Sequence, residues 1–324
     1  MQVLVTGAGG FVGGHLLTYL KNMPDVTLHG TILNEAEKRA ALVAVCERLW
    51  SLDLRDFAAV KAMLQAIQPG YIFHLAGQAY VPRSFEDPWE TLETNIQSTL
   101  NILQAVSELG IPARVLVVGS ADVYGAVKPD QLPLTEDTPF SPTSPYSVSK
   151  IAQDMLALQY ALSHHLFTVR MRPFNHIGPG QNNRFAVPNW ASQIAEAEAG
   201  RHAPVVHVGH LGAARDFTDV RDIVRAYVLA LSEGQPGSVY NVCSGQAHTM
   251  QTILEKLIGM SKIPIEIHVD TDRLRVSDIP ILVGDSQRLR EQTGWQPEIT
   301  LDQTLHDVLT EWRQRVGTQL ANTP

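Results

Sequence analysis

The sequence predicts an α/β fold: a doubly wound parallel sheet carrying a smaller α+β substrate-binding portion. Three observations lead there. Short β-branched and leucine-rich runs alternate with longer segments of helical period. Those runs are apolar almost throughout, as strands covered on both faces must be. The first of them passes straight into a glycine-rich turn and then an amphipathic helix pattern, where right-handed crossovers build a doubly wound sheet.

The strands are read in order as "QVLVT", "VTLHGT", "RLWSLD", "YIFHLA", "RVLVVGS" and "FTVRMRP". After Pro173 the pattern changes, because "FNHIGPGQNNRFAVP" is too rich in Gly, Pro and Asn for a regular element. Two further strand-like runs, "VYNVCS" and "IPIEIHV", and several amphipathic stretches follow. The expected division is a dinucleotide-binding domain over residues 1–172, with 213–246 returning to it. Residues 173–212 and 247–324 form the substrate domain.

The chain has 324 residues, 44% hydrophobic, enough for a sizeable core. Lys and Arg total 25 against 33 Asp and Glu, a formal charge of −8, which argues against nucleic acid or an anionic membrane as partner. No apolar run approaches the ~20 residues needed to cross a bilayer. Cys46 and Cys243 stand far apart and in no CxxC pair, so neither a zinc site nor a disulfide framework is signalled, and a reducing cytoplasm is expected. The histidines form no HxxxH-type ligand cluster, so no metal is expected.

"VLVTGAGGFVGGHLLTYL" sets Gly7, Gly10 and Gly13 in a GxxGxxG frame between a strand and a helix, with Phe11 and Val12 opening that helix. Glycines there permit a tight turn and close approach to a pyrophosphate, and the helix N-terminus offers N–H groups to it. This is a Rossmann dinucleotide site. The second strand should end in an acid for NAD or an arginine for NADP. Leu33 and Asn34 stand there instead, followed by Lys38 and Arg39, which leaves NADPH or NADH open with a lean to NADPH or dual use. Asp53 and Leu54, after the third strand, would flank the adenine, although an Asp opening a helix serves equally as an N-cap.

In "SPYSVSK", Tyr146 and Lys150 stand one helical turn apart. A phenol near pKa 10 transfers protons poorly at neutral pH, and a neighbouring ammonium would favour its ionised form. Ser120 closes the strand "RVLVVGS" at the carboxyl edge of the sheet, where ligands of such folds bind. The same helix carries Ile151, Met155, Leu158 and Leu162 as an apolar stripe, by default packed on its own sheet.

With "TGAGGFVG", "HLAGQ", "LETNIQSTLNIL", "GSADVYG", "SPYSVSK", "RPFNHIGPGQ", "ARDFTDVRD", "YNVCSGQ" and "GWQPEITL", nearly the whole chain resembles the extended short-chain dehydrogenase/reductase family of nucleotide-sugar enzymes. The resemblance makes Tyr146 the acid/base, with Lys150 on the nicotinamide ribose and Ser120 on the sugar. It assigns the cofactor Leu75, Ala76, Gly77, Asn95 and Pro173 besides the residues above. It gives the substrate Arg215 and Arg275, with Arg273 as substitute for the last; Gln78, Arg83 and Ser84, on the loop after "HLAG", and Asn175, at the turn where the main sheet ends, are placed to reach the substrate, as is Arg184, although Arg83 could equally cap the pocket from outside. His176 reads as structural. A homodimer formed through the helices after Asn95 and Tyr146 is also implied.

Within the family, "GSADVYG", "FNHIGPGQ" and "VYNVCSGQ" resemble the branch acting on GDP-4-keto-6-deoxy-D-mannose, which implies reduction at C4 to GDP-6-deoxy-D-mannose (GDP-D-rhamnose). The alternatives are a 4,6-dehydratase or 4-epimerase of the same family and, from another class, a non-catalytic cofactor-binding sensor. Elimination needs carboxyl groups after the strand-end hydroxyl. Here Ala121 cannot transfer a proton and Asp122 is a methylene short of glutamate. Asp122 is read evenly as a residue left over or as a weak acid/base.

Overall fold

The computed structural model describes residues 1–270 and 279–321. Strand and helix alternate from the start: β1 (Gln2–Thr6), α1 (Phe11–Leu20), β2 (Thr27–Ile32), α2 (Ala40–Val45), β3 (Arg48–Ser51), α3 (Phe57–Ile67) and β4 (Tyr71–His74). There follow α4 (Val81–Glu86), α5 (Pro88–Glu108), β5 (Arg114–Val118), α6 (Pro145–His164) and β6 (Phe167–Pro173). The later chain forms β7 (Asn175–Ile177), α7 (Ala186–Glu198), β8 (Val205–Val208), β9 (Ala214–Asp219), α8 (Val220–Glu233), β10 (Ser238–Val242) and β11 (Ala247–Thr249). It ends with α9 (Met250–Gly259), β12 (Glu266–Val269), β13 (Ile281–Leu282), α10 (Gln287–Thr293) and α11 (Leu301–Ala321).

Seven strands pair in parallel in the order β10-β6-β5-β4-β1-β2-β3. The chain therefore winds outward from β1 in both directions, and the switch falls between β1 and β4, where Thr6 sits opposite His74. A crevice opens outside the carboxyl ends of strands at such a point. The central strands are buried along nearly their whole length, whereas β3, at the edge, is not. One face of the sheet packs on α1 and α8 through Leu16, Leu17, Ile223 and Leu231. The other packs on α3, α5 and α6 through Val60, Leu64, Leu103 and Ala157.

The smaller portion holds β7, β9, β11 and β13 in one sheet and β8 with β12 in another, over a separate cluster that includes Trp190, Leu257 and Leu309. Asp216 ties its loops together, accepting from Ser244 N–H and Oγ, Gly245 N–H and Gly284 N–H. Asp222 accepts the N–H groups of Glu298 and Ile299, and Trp295 Nε1 donates to the Asp222 carbonyl, so "GWQPEIT" is strapped onto α8.

Two expectations are corrected. The Gly- and Pro-rich stretch after Pro173 does contain a strand, β7, because β9 supplies its pairing partner. And the apolar stripe of α6 is not the face laid on the sheet. The buried face is polar, with Tyr146, Lys150, Gln153 and Asp154, while Ile151, Met155 and Leu158 are half-buried and Leu162 is exposed.

Asp154 explains how that polar face is tolerated. Its carboxylate accepts Arg170 Nη1 at 2.7 Å and Arg172 Nε at 2.8 Å, all three residues being buried. Removing one partner of a buried ionic cluster leaves uncompensated charge, which costs about 3–5 kcal/mol. Asp154→Ala should lose about that much in urea unfolding, and a loss under about 1 kcal/mol would show that the cluster is not needed to seat α6.

Candidate active site

The glycine turn is built as a dinucleotide cradle. Gly7 adopts φ +67°, and a Cβ on it would lie 3.0 Å from the backbone of Ala76, so β1 and β4 can meet only around glycine. A Cβ on Gly13 would lie 2.4 Å from the Gly7 carbonyl, so α1 approaches the turn as closely as backbone allows. Gly10 is the N-cap of α1 and brings no side chain to it, leaving the helix start to an anion. These features fit a pyrophosphate.

Residues not singled out by sequence hold the β1–β4 junction. Thr6 Oγ1 accepts the N–H groups of Leu75 and Ala76, both at 3.1 Å, and lies 2.9 Å from His74 Nδ1. With its two acceptor positions filled, Thr6 donates to Nδ1, which places the imidazole proton on Nε2, 3.0 Å from Thr99 Oγ1. Thr99 passes its own proton to the Asn95 carbonyl at 2.8 Å. Burial drops the His74 pKa to about 3, so it stays neutral.

Ser144 caps α6 in a reciprocal pair with Ser147, and Pro145 takes the first helical position. That start fixes Tyr146, only 8% exposed, in the first turn. Ser149 donates to the Tyr146 carbonyl at 2.7 Å and accepts from Asn95 Nδ2 at 2.9 Å. Lys150 Nζ donates to the Val118 carbonyl at 2.9 Å and stands 5.8 Å from the Tyr146 ring centre. Ser120 both caps the short turn Ala121–Tyr124, accepting from Asp122 N–H at 3.1 Å, and hydrogen-bonds the phenol.

The charges do not follow the simplest expectation. Burial, and then the Asp122 carboxylate, push the Tyr146 pKa well above that of a free phenol, and the Ser120 hydrogen bond offsets them only in part. Burial lowers Lys150 to about 8. In this arrangement the ammonium does not pull the phenol down; the pair holds a protonated donor. Burial raises the Asp122 pKa, against the opposing pull of the Arg215 charge.

Ser120, Asp122, Tyr146 and Lys150 are thus brought together, and Arg215 on β9, whose charge acts on Asp122, donates to the Ala214 and Ile279 carbonyls. Asn95 is buried and its amide clamps Gln78 N–H and C=O as well as Ser149. A Cβ on Gly77 would lie 2.7 Å from Asn95 Oδ1. Gln78 turns back onto Tyr80 and Thr91, Ser84 is buried against the Val81 carbonyl, and Arg83 meets Glu86, Asp87 and Glu90.

Asn175 and Arg184 are exposed, and Pro173 ends β6. Phe11 stacks on His176, whose Nδ1 donates to the Phe174 carbonyl, as a structural histidine would. Asp53 is not an N-cap: Asp56 caps α3, and Asp53 accepts from Arg55. Leu54 is buried with its carbonyl held by Asn101. Arg275 and Arg273 lie outside the described residues.

The sheet and this cluster define a short-chain dehydrogenase/reductase of the extended, nucleotide-sugar type. The sequence model of the GDP-mannose 4,6 dehydratase family matches residues 4–308, and the chain belongs to that family. It is 39% identical to the GDP-6-deoxy-D-mannose reductase of Pseudomonas aeruginosa over 97% of this chain and 98% of that one. The structure of RMD from P. aeruginosa complexed with NADPH superposes with a TM-score of 0.85 at 37% identity, covering 97% and 99% of the two chains. The UDP-glucose 4-epimerase of Thermus thermophilus in complex with NAD gives 0.84 at 26% identity, covering 97% and 99%.

The depressed Lys150 pKa has a measurable sign. The folded chain releases that proton near pH 8 and an unfolded one near 10.4. Between those values the unfolded state binds more protons, so this residue makes stability rise with pH across the window. The burial penalty is complete below pH 8. Lys150→Met should gain up to about 3 kcal/mol on the wild type at pH 7, the gain shrinking by pH 10 in paired urea titrations. A pH-independent difference would mean that Lys150 is not desolvated.

Proposed function

We propose that the chain reduces GDP-4-keto-6-deoxy-D-mannose at C4 to GDP-6-deoxy-D-mannose, using NADPH or NADH. The observation that carries this is the proton-donating cluster of Tyr146, Ser120 and Lys150 at the carboxyl end of β5, beside an alanine that can do no acid–base work.

When bound, the reduced nicotinamide supplies the hydride that C4 accepts. Gly7, Gly10, Phe11, Val12 and Gly13 hold the pyrophosphate, and Leu75 to Gly77 line its path. Ser120 donates a hydrogen bond to the ketone oxygen and polarises it. As negative charge gathers on O4, Tyr146 gives up its proton, completing the hydroxyl, and water restores it after each turnover. A phenol whose pKa lies above that of a free tyrosine keeps its proton until an alkoxide, a stronger base, forms. Lys150 places a cation beside the resulting phenolate. Asn175, Arg184, Arg215 and Arg275 are assigned to the nucleotide sugar, Arg215 to the diphosphate that a guanidinium fits. Residues 1–172, with α8 and β10 from the stretch 213–246, serve the cofactor; β9, which carries Arg215, lies in the smaller portion and serves the sugar nucleotide with the rest of the chain.

The family match keeps a second reading, a 4,6-dehydratase, in view. Removing the C5 proton and expelling the C6 hydroxyl requires further groups. Ala121 is 1% exposed and apolar, and burial holds the Asp122 carboxyl above the usual carboxylate range. Loss of 340 nm absorbance with the keto sugar and reduced cofactor supports reduction. Keto-sugar formation from GDP-mannose without added reductant would overturn it. In the same assay Tyr146→Phe should lower kcat by about 10²–10⁴ with cofactor affinity nearly unchanged.

The assembly we propose is a homodimer through α5 and α6. Phe85, Trp89, Val148 and Leu162 are exposed on α4 to α6 beside the half-buried stripe, a surface an isolated chain gains nothing by showing. Leu162→Glu should halve the mass seen by sedimentation, and an unchanged mass would remove the stripe from the interface. Two buried, unpaired cysteines, Cys46 and Cys243, suit the reducing cytoplasm we assign. Among the described residues no helix is long and apolar enough to cross a membrane.

A further inference from the structure

We infer that Glu37 selects the cofactor: its carboxylate takes the free 2′-hydroxyl of an adenosine ribose on the glycine turn and rejects a 2′-phosphate, so that NADH is preferred. The inference rests on the proposed function only for the presence of a dinucleotide. Sequence position points elsewhere, since the end of β2 is followed by Leu33 and Asn34, neither of which can distinguish the two riboses by charge.

The fold supplies the missing acid by reversing the chain. Asn34 Oδ1 accepts from Ala36 N–H at 3.0 Å, and Glu37 N–H donates to the Asn34 carbonyl at 3.1 Å, closing a tight turn over Glu35–Glu37. Glu37 Oε2 then accepts from Leu33 N–H at 3.4 Å, which folds the carboxylate back over the strand end. A Cβ on Gly9 would lie 3.0 Å from Glu37 Oε2, 3.2 Å from its Cβ and 3.4 Å from Ile32 Cγ2. The acid therefore lies directly on the glycine turn. Among residues 33–40 Glu37 alone is half-buried, and every neighbour is exposed.

The cations beside it do not share that position. Lys38 Nζ pairs with Glu35 at 3.2 Å, and Arg39 stands exposed at the start of α2. A carboxylate accepts a hydrogen bond from a ribose hydroxyl and repels a phosphate dianion in the same place.

The test is a titration of the intact protein with NADH and NADPH, and with ADP-ribose and its 2′-phosphorylated form, read by calorimetry without sugar. The wild type should bind the unphosphorylated member of each pair about tenfold more tightly. Glu37→Gln and Glu37→Ser should narrow that ratio about tenfold, mainly by tightening the phosphorylated ligand. Equal or tighter binding of the phosphorylated ligands by the wild type, or a ratio unmoved in both variants, overturns the assignment. Keto-sugar turnover is measured separately: a Glu37-dependent ratio without turnover supports the assignment while refuting the reductase reading. Binding of neither dinucleotide refutes both.

Discussion

An ammonium taken out of water must find oxygen, and Lys150 finds it in the carbonyl that ends β5. That bond joins α6 to the middle of the parallel sheet at the level where the strands stop, and the remaining polar groups are arranged around it. Four residues further along, Asp154 binds the guanidinium groups of Arg170 and Arg172 on β6. The helix is thus seated by polar contacts on the side that an ordinary amphipathic helix would make apolar. Aliphatic packing tolerates small slides, whereas hydrogen bonds between 2.7 and 2.9 Å fix both rotation and height.

A second constraint works at the switch point. The row Thr6, His74, Thr99 and Asn95 crosses from β1 through β4 into α5, each member donating to the next. Asn95 extends it by gripping both backbone groups of Gln78, as a neighbouring strand would, and by meeting Ser149 under Tyr146. The floor of the cofactor crevice and the first turn of the catalytic helix therefore belong to one hydrogen-bonded body. Preorganisation of this kind is what lets fixed dipoles stabilise a developing charge without rearranging.

The doubly wound parallel sheet and the glycine turn were legible in the sequence, because each follows from local patterning and one topological rule, whereas the pairing of Ser120 with Tyr146 was implied by the family resemblance. Less was legible wherever a side chain spends its polar atoms on its own surroundings. Gln78 lies in the loop after β4, but Arg83 and Ser84 fall on α4 instead of that loop, and Thr91, Glu90 and the Val81 carbonyl already engage the three in that order. Periodicity likewise finds the apolar stripe of α6 but does not say that the opposite face is the buried one. The position of Glu37 depends on a reversal of three residues, which no spacing rule anticipates.

The phenol stands in the first turn of α6, just beyond Ser144, so its bearing is set by how the helix begins and not by how far it runs. Each residue of an α-helix advances the side-chain direction by about 100°. One extra residue between Ser144 and Tyr146 would swing the ring a quarter of a circle away from Ser120, whereas lengthening beyond His164 would leave it untouched. A change of length is therefore harmless to the ring's bearing at the far end of the helix and ruinous to it at the origin.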